Sequence, residues 1–437
     1  MTTARREPRT LLEHLIQQRD NTYEELADEI GRTGERVPIS ARHLGRLARG
    51  ERGMAGTNPA TRRALQAMFS LPVEELLRPW SPADVPTVRN HEASSTGLIV
   101  VDVDRSVLTM AADRARRFTL NTAQATAPEF IEQLRSDVAR LALAYPQRPV
   151  TDLLGDLVET QELLFTLLER QQPLAQARQL HFLAAVTSGL LAKASQDSGE
   201  PHAAMIQART AILCADQADH AGLRAWLRGL QSLVAYWAGR YREALRYAEQ
   251  GSSFVADAGG TTAVWLPLSA ARAHAALGNA EQAILAIRGA EGAWDRVSVD
   301  ELDELGGICV FNQPRTLYYA ADALAWLPGQ ADDAIRYSTS AVDAFSNPND
   351  PSWAFGDQAG AHANLAIARL ADHNVGGAEE AIAPVLDLPP EQRINGIIQS
   401  VLRVQAAVIR AGLAQDAAGL VDAIEAFTRT PLKAITR

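Results

Sequence analysis

The sequence predicts an all-α protein, in which a bundle of five short helices is followed by a long array of helical hairpins. Apolar residues recur at helical spacing from Leu11 onwards, and a phrase that contains Gly and Ala recurs six times between positions 199 and 418. The chain is also too long, at 437 residues, for one ordinary core. With 47% apolar and 22% charged residues, it has the balance of a folded, soluble protein.

Composition excludes several classes of protein. No apolar run approaches the roughly 18 residues that span a bilayer, and positions 1–7 lack the apolar stretch of a signal peptide. We therefore expect a cytoplasmic protein without a membrane partner. Cys214 and Cys309 are far apart and the histidines show no ligand spacing, which argues against a disulfide framework or a zinc site. No metal or cofactor is expected.

The net charge of −10 is unevenly distributed. Residues 1–80 carry 13 Arg against 11 Asp and Glu, which leaves a net −12 for the remainder. Between positions 36 and 63 only Glu51 opposes seven arginines, and this local +6 is on the scale of a phosphate-binding patch. These arginines are Arg36, Arg42, Arg46, Arg49, Arg52, Arg62 and Arg63. Because the acidic remainder repels DNA, any DNA contact should come from this end.

Five short helices are predicted within residues 1–80. The first carries an apolar face at Leu11, Leu12, Leu15 and Ile16, and a Thr22-x-x-Glu25 capping box opens the second. Ser40 can cap the third, with Leu44 and Leu47 inward and Arg42, His43 and Arg46 outward. The fourth carries Leu65, Met68 and Phe69, and residues 73–77 make the fifth. A third helix that is basic on its exposed face is typical of helix-turn-helix domains.

The segment resembles the xenobiotic-response-element (XRE), or lambda-repressor-like, family. The matching stretches are TYEELA in the second helix, IS at the start of the third, LGRLARGER at its close and the following NPATRRAL. The resemblance implies that the third helix enters the major groove of double-stranded DNA. The residues expected to bind DNA are Ser40, Ala41, Arg42, His43, Arg46, Arg49, Arg52 and Arg36. Arg42 and Arg46 are the best candidates for guanine readout; the alternative is a solvated helix face.

The match to this family is incomplete around the third helix. Residues 32–38 are an insertion relative to the family, and they would either follow the DNA backbone through Arg32 and Arg36 or form a longer loop. Ala41 stands where Gln is common, and Ala48 where Glu is common. The exact base contacts are therefore left open.

A linker is predicted between the two parts of the chain. The stretch 78–97 contains three prolines and several small polar residues, which favours extended backbone. We divide the chain into a DNA-binding domain over 1–80, a linker over 81–105 and a repeat domain over 106–437. Asp102 and Asp104 follow an apolar run and resemble the first motif of haloacid-dehalogenase phosphatases, but that chemistry needs a parallel sheet, and helices follow here. We expect no enzyme activity.

The recurring phrase begins with Gly and places Ala five residues later. Its copies begin at positions 199, 239, 278, 329, 376 and 412, so the intervals are 40, 39, 51, 47 and 36. Gly can end one helix in the left-handed conformation, and a small Ala lets the next helix pack closely against it. Because an isolated helix pair cannot bury its apolar face, the pairs are expected to stack.

The phrase resembles the turn of the tetratricopeptide repeat, which Gly239, Tyr241 and Ala244 match best. The resemblance implies a right-handed α-solenoid whose concave surface is lined by the first helix of each pair. An effector could bind there on aromatic rings and polar neighbours; the alternative is that the aromatic residues only pack. The candidate effector-binding residues are Trp226, Tyr236, Trp265, Arg272, Asn312, Arg315, Tyr318, Tyr319 and Asn364.

The combination of the two parts is similar to bacterial peptide-sensing quorum regulators. That resemblance implies a transcriptional regulator with a peptide or small-molecule effector, and two-fold DNA recognition implies a homodimer on a palindromic operator. The alternative is an interaction protein whose array docks a partner protein, with DNA binding secondary. An effector pocket should be enclosed and aromatic, whereas a docking groove should be open along several repeats.

Overall fold

A computed structural model describes residues 8–18, 22–23, 26–27, 40–51, 61–62, 65, 69, 73–79, 128–255 and 259–429. Within these ranges the regular structure is helical and no β-strand occurs, which confirms the all-α prediction. The chain divides into two compact units, Met1–Asp104 and Arg105–Arg437. Among the described helices, none is both long and apolar enough to cross a lipid bilayer.

Several predicted features lie outside the described residues. They are the insertion 32–38 with Arg36, then Arg52, the capping residue Glu25, the linker 81–105 and the Asp102–Asp104 pair.

The first unit contains helices α1 (Leu11–Gln18), α2 (Ala41–Ala48) and α3 (Val73–Leu76). The start of α1 is tied to the ends of the other two helices, because the Leu11 N–H donates to the Arg78 carbonyl at 3.1 Å and the Thr10 hydroxyl donates to the Ala48 carbonyl. One apolar core joins these helices. It comprises Leu12, Ile16, Leu26, Ala27, Leu44, Leu47, Ala48, Leu65, Phe69, Val73 and Leu76. Helix α2, the third of the predicted helices, is thus anchored on its apolar side.

The second unit is built of fourteen described helices. Their bounds are α4 Pro128–Ala144, α5 Leu154–Leu168, α6 Leu174–Asp197, α7 Pro201–Ala218, α8 Ala221–Trp237, α9 Tyr241–Val255, α10 Thr262–Ala276, α11 Ala280–Trp294, α12 Gln313–Leu324, α13 Ala331–Ala344, α14 Phe355–Ala371, α15 Val375–Leu386, α16 Asn395–Arg410 and α17 Ala418–Thr428. Short 3₁₀ turns at Val150–Asp152, Asp303–Leu305, Gly307–Cys309 and Pro390–Gln392 interrupt the connections.

These helices form two layers. Each even-numbered helix from α4 to α14 packs against the next even-numbered helix. Each even-numbered helix from α4 to α16 also packs against the odd-numbered helix that follows it in the chain. The even-numbered helices therefore make an inner layer, and the odd-numbered helices lie outside it. The last inner helix, α16, returns to contact α6, so the inner layer closes on itself. Side chains that point inward from distant helices can consequently meet.

The turns between paired helices follow the predicted phrase in five copies. Gly199, Gly239, Gly278, Gly329 and Gly412 all have φ values between 70° and 81°, the left-handed region that favours glycine. The Ala five positions after each of these glycines is fully buried. Those alanines are Ala204, Ala244, Ala283, Ala334 and Ala417. The predicted roles of Gly and Ala are confirmed in these copies.

In the fifth copy, the predicted position of the turn is wrong. Gly376 does not end a helix there, because it lies inside α15, and His373 takes the left-handed position with φ of 57°. The Asn374 side chain caps α15 by accepting from the Gly377 N–H at 2.8 Å. The fully buried Ala378 again lies five positions after the left-handed residue. The turn therefore begins three residues earlier than predicted, since an Asn cap made a His acceptable where Gly was expected.

Candidate functional site

Helix α2 is held so that one side meets the core and the other meets solvent. Ser40 has extended backbone (φ −83°, ψ 148°), and its hydroxyl accepts from the His43 N–H at 3.3 Å, as predicted for an N-cap. Leu44 and Leu47 are fully buried. The helix ends at Ala48, and Gly50, in the left-handed region at φ 69°, donates its N–H to the Leu47 carbonyl at 2.9 Å.

The predicted DNA-binding side chains of α2 differ in their surroundings. Ser40 and Arg42 are exposed, whereas Ala41 and His43 are partly buried. Within the described residues Arg42 makes no ion pair or hydrogen bond through its side chain. Its guanidinium group is therefore available to a negatively charged ligand.

Arg46 and Arg49 instead share a carboxylate. The Arg49 Nε donates to Glu51 Oε1 at 2.9 Å, and the Arg46 Nε lies 3.6 Å from Glu51 Oε2. The hydrogen bond from Arg49, followed by the nearby positive charges, holds the pKa of Glu51 below its ordinary value. Glu51 thus offsets part of the basic patch at the end of α2. Sequence reasoning counted Glu51 as the sole acidic residue in the patch but did not assign it these partners.

In the second unit, a charged cluster lies between four inner helices. Asp322 on α12 accepts from Arg272 Nε on α10, pairs with Arg403 Nη1 on α16 at 2.8 Å, and accepts from the Tyr236 hydroxyl on α8 at 3.2 Å. Only 1% of Asp322 and 3% of Arg272 is exposed. We call Tyr236, Arg272, Asp322 and Arg403 the interior charge cluster.

Aromatic rings enclose the interior charge cluster. The Arg272 guanidinium carbon lies 4.1 Å from the Tyr236 ring centre and 4.3 Å from the Tyr319 ring centre, distances at which a cation is attracted to the ring faces. Burial alone would raise the pKa of Asp322, but Arg272 and Arg403 hold it below its ordinary value. Burial raises the pKa of Tyr236 to about 12. The cluster is therefore charged at Asp322 and protonated at Tyr236 near neutral pH.

A cavity lies beside this cluster. The space inside it that water-sized molecules can occupy is about 50 Å³, and the figure rises to about 440 Å³ only when the open solvent at its mouth is included. Its lining comprises Lys193, Trp226, Leu230, Leu233, Thr262, Trp265, Ile308, Cys309, Phe311, Arg315, Tyr319 and Asp357. We call it the aromatic cavity.

The candidate effector-binding residues fall into two groups. Trp226, Trp265, Arg315 and Tyr319 line the aromatic cavity. The others lie outside its lining, and each has a structural contact. Tyr236 and Arg272 belong to the interior charge cluster, and the Tyr318 ring lies beside Arg272. Asn312 caps α12 by accepting from the Arg315 N–H at 3.0 Å, and Asn364 Nδ2 donates to the Tyr318 carbonyl at 3.5 Å.

One wall of the aromatic cavity comes from the connection between α11 and α12. Residues 298–311, which we call the inner segment, are held by Asp303, whose carboxylate accepts from the Thr261 N–H at 2.9 Å and its hydroxyl at 2.6 Å. Gly307, at φ 55°, packs against α4, where an added Cβ would lie 2.1 Å from the Ala142 carbonyl oxygen. Ile308, Cys309 and Phe311 of this segment line the cavity.

Arg315 joins the inner segment to α14. Its Nε donates to Asp357 at 2.7 Å and its Nη1 donates to the Val310 carbonyl at 2.9 Å. Sequence reasoning missed the inner segment as a cavity wall. A signal was present, however, because the interval of 51 residues between Gly278 and Gly329 is the longest between copies of the phrase and contains this segment.

Lys193 contributes a second charged group to the lining. Its Nζ donates to both carboxylate oxygens of Asp197, each at 2.5 Å, and the Tyr145 hydroxyl donates to the same carboxylate at 2.9 Å. Burial, followed by the charge of Asp197, raises the pKa of Tyr145 well above its ordinary value. Lys193 is one of two lysines in the chain, but the sequence offered no reason to place it at this cavity.

The two cysteine thiols of the chain are both protonated near neutral pH. Burial raises the pKa of the Cys309 thiol, and it raises the pKa of Cys214 to about 11, so neither supplies a thiolate near neutral pH. Among the described residues, no group of three or more His, Cys, Asp or Glu side chains could hold a metal ion. The cavity presents aromatic faces and paired charges to an occupant.

No family model matches the sequence, and no curated protein matches it at a significant level.

Proposed function

We propose that the chain is a sequence-specific, DNA-binding transcriptional regulator. In this proposal, the first unit is an XRE-type helix-turn-helix domain, and the second is a right-handed, tetratricopeptide-like α-solenoid that dimerises and binds a peptide or small-molecule effector. The observation that carries the proposal is the combination of an anchored α2 helix with an exposed Arg42 on its first turn. An arginine at that position of a recognition helix can pair bidentately with guanine in the major groove.

The charge distribution supports this assignment. The arginines of positions 36–63 give a local +6, whereas residues 81–437 carry a net −12. DNA would therefore be attracted to the first unit and repelled by most of the second. A single small domain makes few base contacts, so two copies on a palindrome are the expected arrangement.

The effector role of the second unit is supported by the aromatic cavity. Four of its lining residues, Trp226, Trp265, Phe311 and Tyr319, are aromatic, and they stand among a few polar groups, which is the usual composition of a small-molecule site. The cavity is walled by residues of several inner helices and of the inner segment. An occupant could therefore bias how those elements pack, which is how a signal would reach the rest of the array.

The test is an in vitro selection with the full-length chain. A library of random duplexes is incubated with the protein, and the bound fraction is amplified and sequenced over several rounds. We expect enrichment of a palindromic sequence, and light scattering at increasing concentrations of the enriched duplex should give two chains per duplex. An unenriched library would contradict sequence-specific binding, whereas enrichment of a non-palindromic half-site bound by one chain would contradict the dimer.

A second candidate function is that of an interaction protein, with DNA binding secondary. It is favoured by two large apolar side chains on α7, Ile206 and Leu213, which are 50% and 63% exposed. They are seven positions apart and so lie on one face of the helix. If the selection enriches no sequence and the purified chain is monomeric, this second function is the better proposal.

A further inference from the structure

A second cavity of the array lies between α4, α6 and the inner segment. The space inside it that water-sized molecules can occupy is about 250 Å³, against about 50 Å³ by the same measure for the aromatic cavity. A cavity of roughly 150 Å³ already admits a molecule of the size of benzene. This second cavity, which we call the acidic cavity, therefore has room for a small organic molecule.

Apolar side chains make the floor of the acidic cavity. Ile131 on α4 and Phe182 and Leu183 on α6 line it, and each is at most 3% exposed. The guanidinium carbon of Arg135, which also lines the cavity, lies 5.7 Å from the Phe182 ring centre. An occupant that reaches the floor would thus meet apolar surface on which methylene groups can pack.

The rim of the acidic cavity carries more negative than positive charge. Its charged side chains are Glu132 and Arg135 on α4 and Glu301 and Glu304 on the inner segment. Arg135 Nη1 donates to Glu301 Oε1 at 2.7 Å, and Arg135 Nη2 donates to Glu304 Oε2 at 3.0 Å. Three carboxylates against one guanidinium group give the lining a net charge of −2.

The nearby His220 does not offset this charge. Its Nε2 lies 3.8 Å from Glu301 Oε2, but its Nδ1 accepts from the Leu223 N–H at 3.0 Å. A ring nitrogen that accepts a hydrogen bond carries no proton, so the imidazole ring is neutral. The negative charge of the lining is therefore left for a cationic occupant to balance.

Two side chains of the lining are free to bind that occupant. The Glu132 carboxylate and the Gln179 amide are both exposed, and among the described residues neither makes a hydrogen bond or an ion pair. Glu132 precedes Arg135 by three positions, so the two side chains lie on the same face of α4. The free carboxylate and the amide oxygen can both accept from an ammonium group.

The arrangement of the carboxylates favours an organic cation over a metal ion. In the part of the chain that the structure describes, no three His, Cys, Asp or Glu side chains form a group that could hold a metal ion. Glu132, Glu301 and Glu304 therefore do not converge on a single ion. They can instead pair with separate positive groups of one longer molecule.

We propose that the acidic cavity binds a small aliphatic diamine. Its methylene chain packs on the apolar floor, one ammonium group pairs with Glu132, and the other meets Glu301 and Glu304 beside Arg135. Two positive charges balance the net −2 of the lining, so the charges of the complex cancel. The inference goes beyond the proposed function, because it assigns a binding site and its ligand class whether or not the chain binds DNA.

The test compares three probes of equal length and size with the full-length protein. They are 1,4-diaminobutane, which carries two charges, n-pentylamine, which carries one, and 1,4-butanediol, which carries none. Isothermal titration calorimetry near neutral pH and at low ionic strength measures the affinities. We expect 1,4-diaminobutane to bind about fivefold more tightly than n-pentylamine, as for one additional exposed ion pair, and 1,4-butanediol to show no saturable binding.

Two variants locate the binding site. Glu132→Gln keeps the size of the side chain but removes the free carboxylate, so it should weaken 1,4-diaminobutane about fivefold and leave thermal unfolding nearly unchanged. Glu159→Gln is the matched control, because Glu159 on α5 is also exposed and makes no ion pair among the described residues, but lies outside the cavity lining. It changes the net charge equally and should leave the affinity unchanged. If Glu132→Gln fails to fold, the three probes on the unaltered chain still decide the ligand class.

A competition with Mg²⁺ separates a diamine site from a general attraction of cations to an acidic surface. Magnesium chloride should weaken 1,4-diaminobutane only as much as sodium chloride of equal ionic strength does. Four outcomes would overturn the inference: 1,4-diaminobutane shows no saturable binding, n-pentylamine binds as tightly, Mg²⁺ displaces the diamine at equal concentration, or Glu159→Gln weakens the diamine as much as Glu132→Gln does.

Discussion

Arginine has opposite surroundings in the two units of the chain. In the first unit, Arg42 lies exposed on a helix whose other face is buried, without an ion pair among the described residues. In the second unit, Arg272 is 3% exposed, pairs with Asp322 and lies between two tyrosine rings. An exposed charge is well solvated and remains available to a partner, whereas a buried charge is tolerated only with a counter-charge in place.

This difference predicts which property of each unit a substitution of its charged residues should change. Changes to the exposed arginines should alter binding and leave folding nearly intact. Changes to the interior charge cluster should alter folding, because its members come from four helices and hold each other in register. Four predictions test this difference, from the largest expected effect to the smallest.

The largest effect should follow loss of the buried counter-charge. Asp322→Asn leaves Arg272 and Arg403 without their shared carboxylate, so we expect the free energy of unfolding to fall by about 3–5 kcal/mol. Urea denaturation followed by circular dichroism measures it. Asp332→Asn, at an exposed position on α13, is the matched control and should change stability by less than about 0.5 kcal/mol. Equal stability of the two variants would show that the cluster does not hold the array together.

The carboxylate of Asp322 should also make the stability of the folded chain depend on pH in the acid range. The pKa of Asp322 is lowered in the folded chain from an ordinary 3.8. Its stabilising contribution is therefore fully present above pH 3.8 and is lost as the pH falls through the lower, folded value. The Asp322→Asn variant should lack this part of the acid dependence.

The second prediction concerns alkaline pH and the buried Tyr236. The pKa of Tyr236 in the folded chain, about 12, exceeds the ordinary value of 10.0. The stabilisation that this protonated side chain gives the folded state is therefore fully present below pH 10. Between pH 10 and 12 the unfolded chain loses this proton first, and the free energy of unfolding should fall by about 2–3 kcal/mol through this group. Tyr236→Phe should unfold with a correspondingly shallower dependence on pH over that interval. An unchanged slope would mean that Tyr236 ionises as readily folded as unfolded.

The third prediction addresses the exposed arginines. Arg42→Ala and Arg46→Ala should each weaken binding to the selected operator by about 1–3 kcal/mol, as expected for loss of bidentate base contacts. Thermal unfolding should be nearly unchanged in both. Gel-shift titration measures the affinities, and Arg242→Ala, an exposed arginine on α9, is the control with unchanged binding. If both variants kept their full preference for the operator sequence, α2 would not be the helix that recognises the bases.

The smallest effect should come from Glu51. Glu51→Gln removes the carboxylate that contacts Arg46 and Arg49, so binding to any duplex should strengthen by at most a few-fold. The salt dependence of binding should steepen by up to about 0.9 in log–log slope for each additional phosphate contact. Glu243→Gln is the control, because Glu243 also contacts two arginines, Arg240 and Arg246, but lies in the array. Equal strengthening by both variants would point to net charge alone.

Local features were predictable from the sequence because their causes are local. Ser40 caps α2 through a bond to an N–H three positions later, and the left-handed glycines lie next to the helices that they end. The one error of this kind, at Gly376, arose because only Gly was considered for the left-handed position. An Asn cap at Asn374 stabilises the turn enough for His373 to occupy that position.

The site in the array was predictable only in part. Trp226, Trp265, Arg315 and Tyr319 were identified as candidates and do line the aromatic cavity. Tyr236 and Arg272 were candidates for the same role but lie in the interior charge cluster instead. Aromatic and polar residues at helical spacing mark the inner face of a helix, but the spacing does not distinguish a side chain that lines a cavity from one that packs beside it.

By itself, the sequence determined the all-α class, five of the six turns between paired helices, the buried alanines and the position of the positive charge. These depend on neighbours within a few positions or on composition. Only the tertiary structure decided the partners of the buried charges and the walls of the cavity. Arg272 and Asp322 are 50 positions apart, and Tyr236 and Asp322 are 86 apart. Such pairs form because stacked inner helices bring them together, and no periodicity in the chain encodes which side chains meet across that distance.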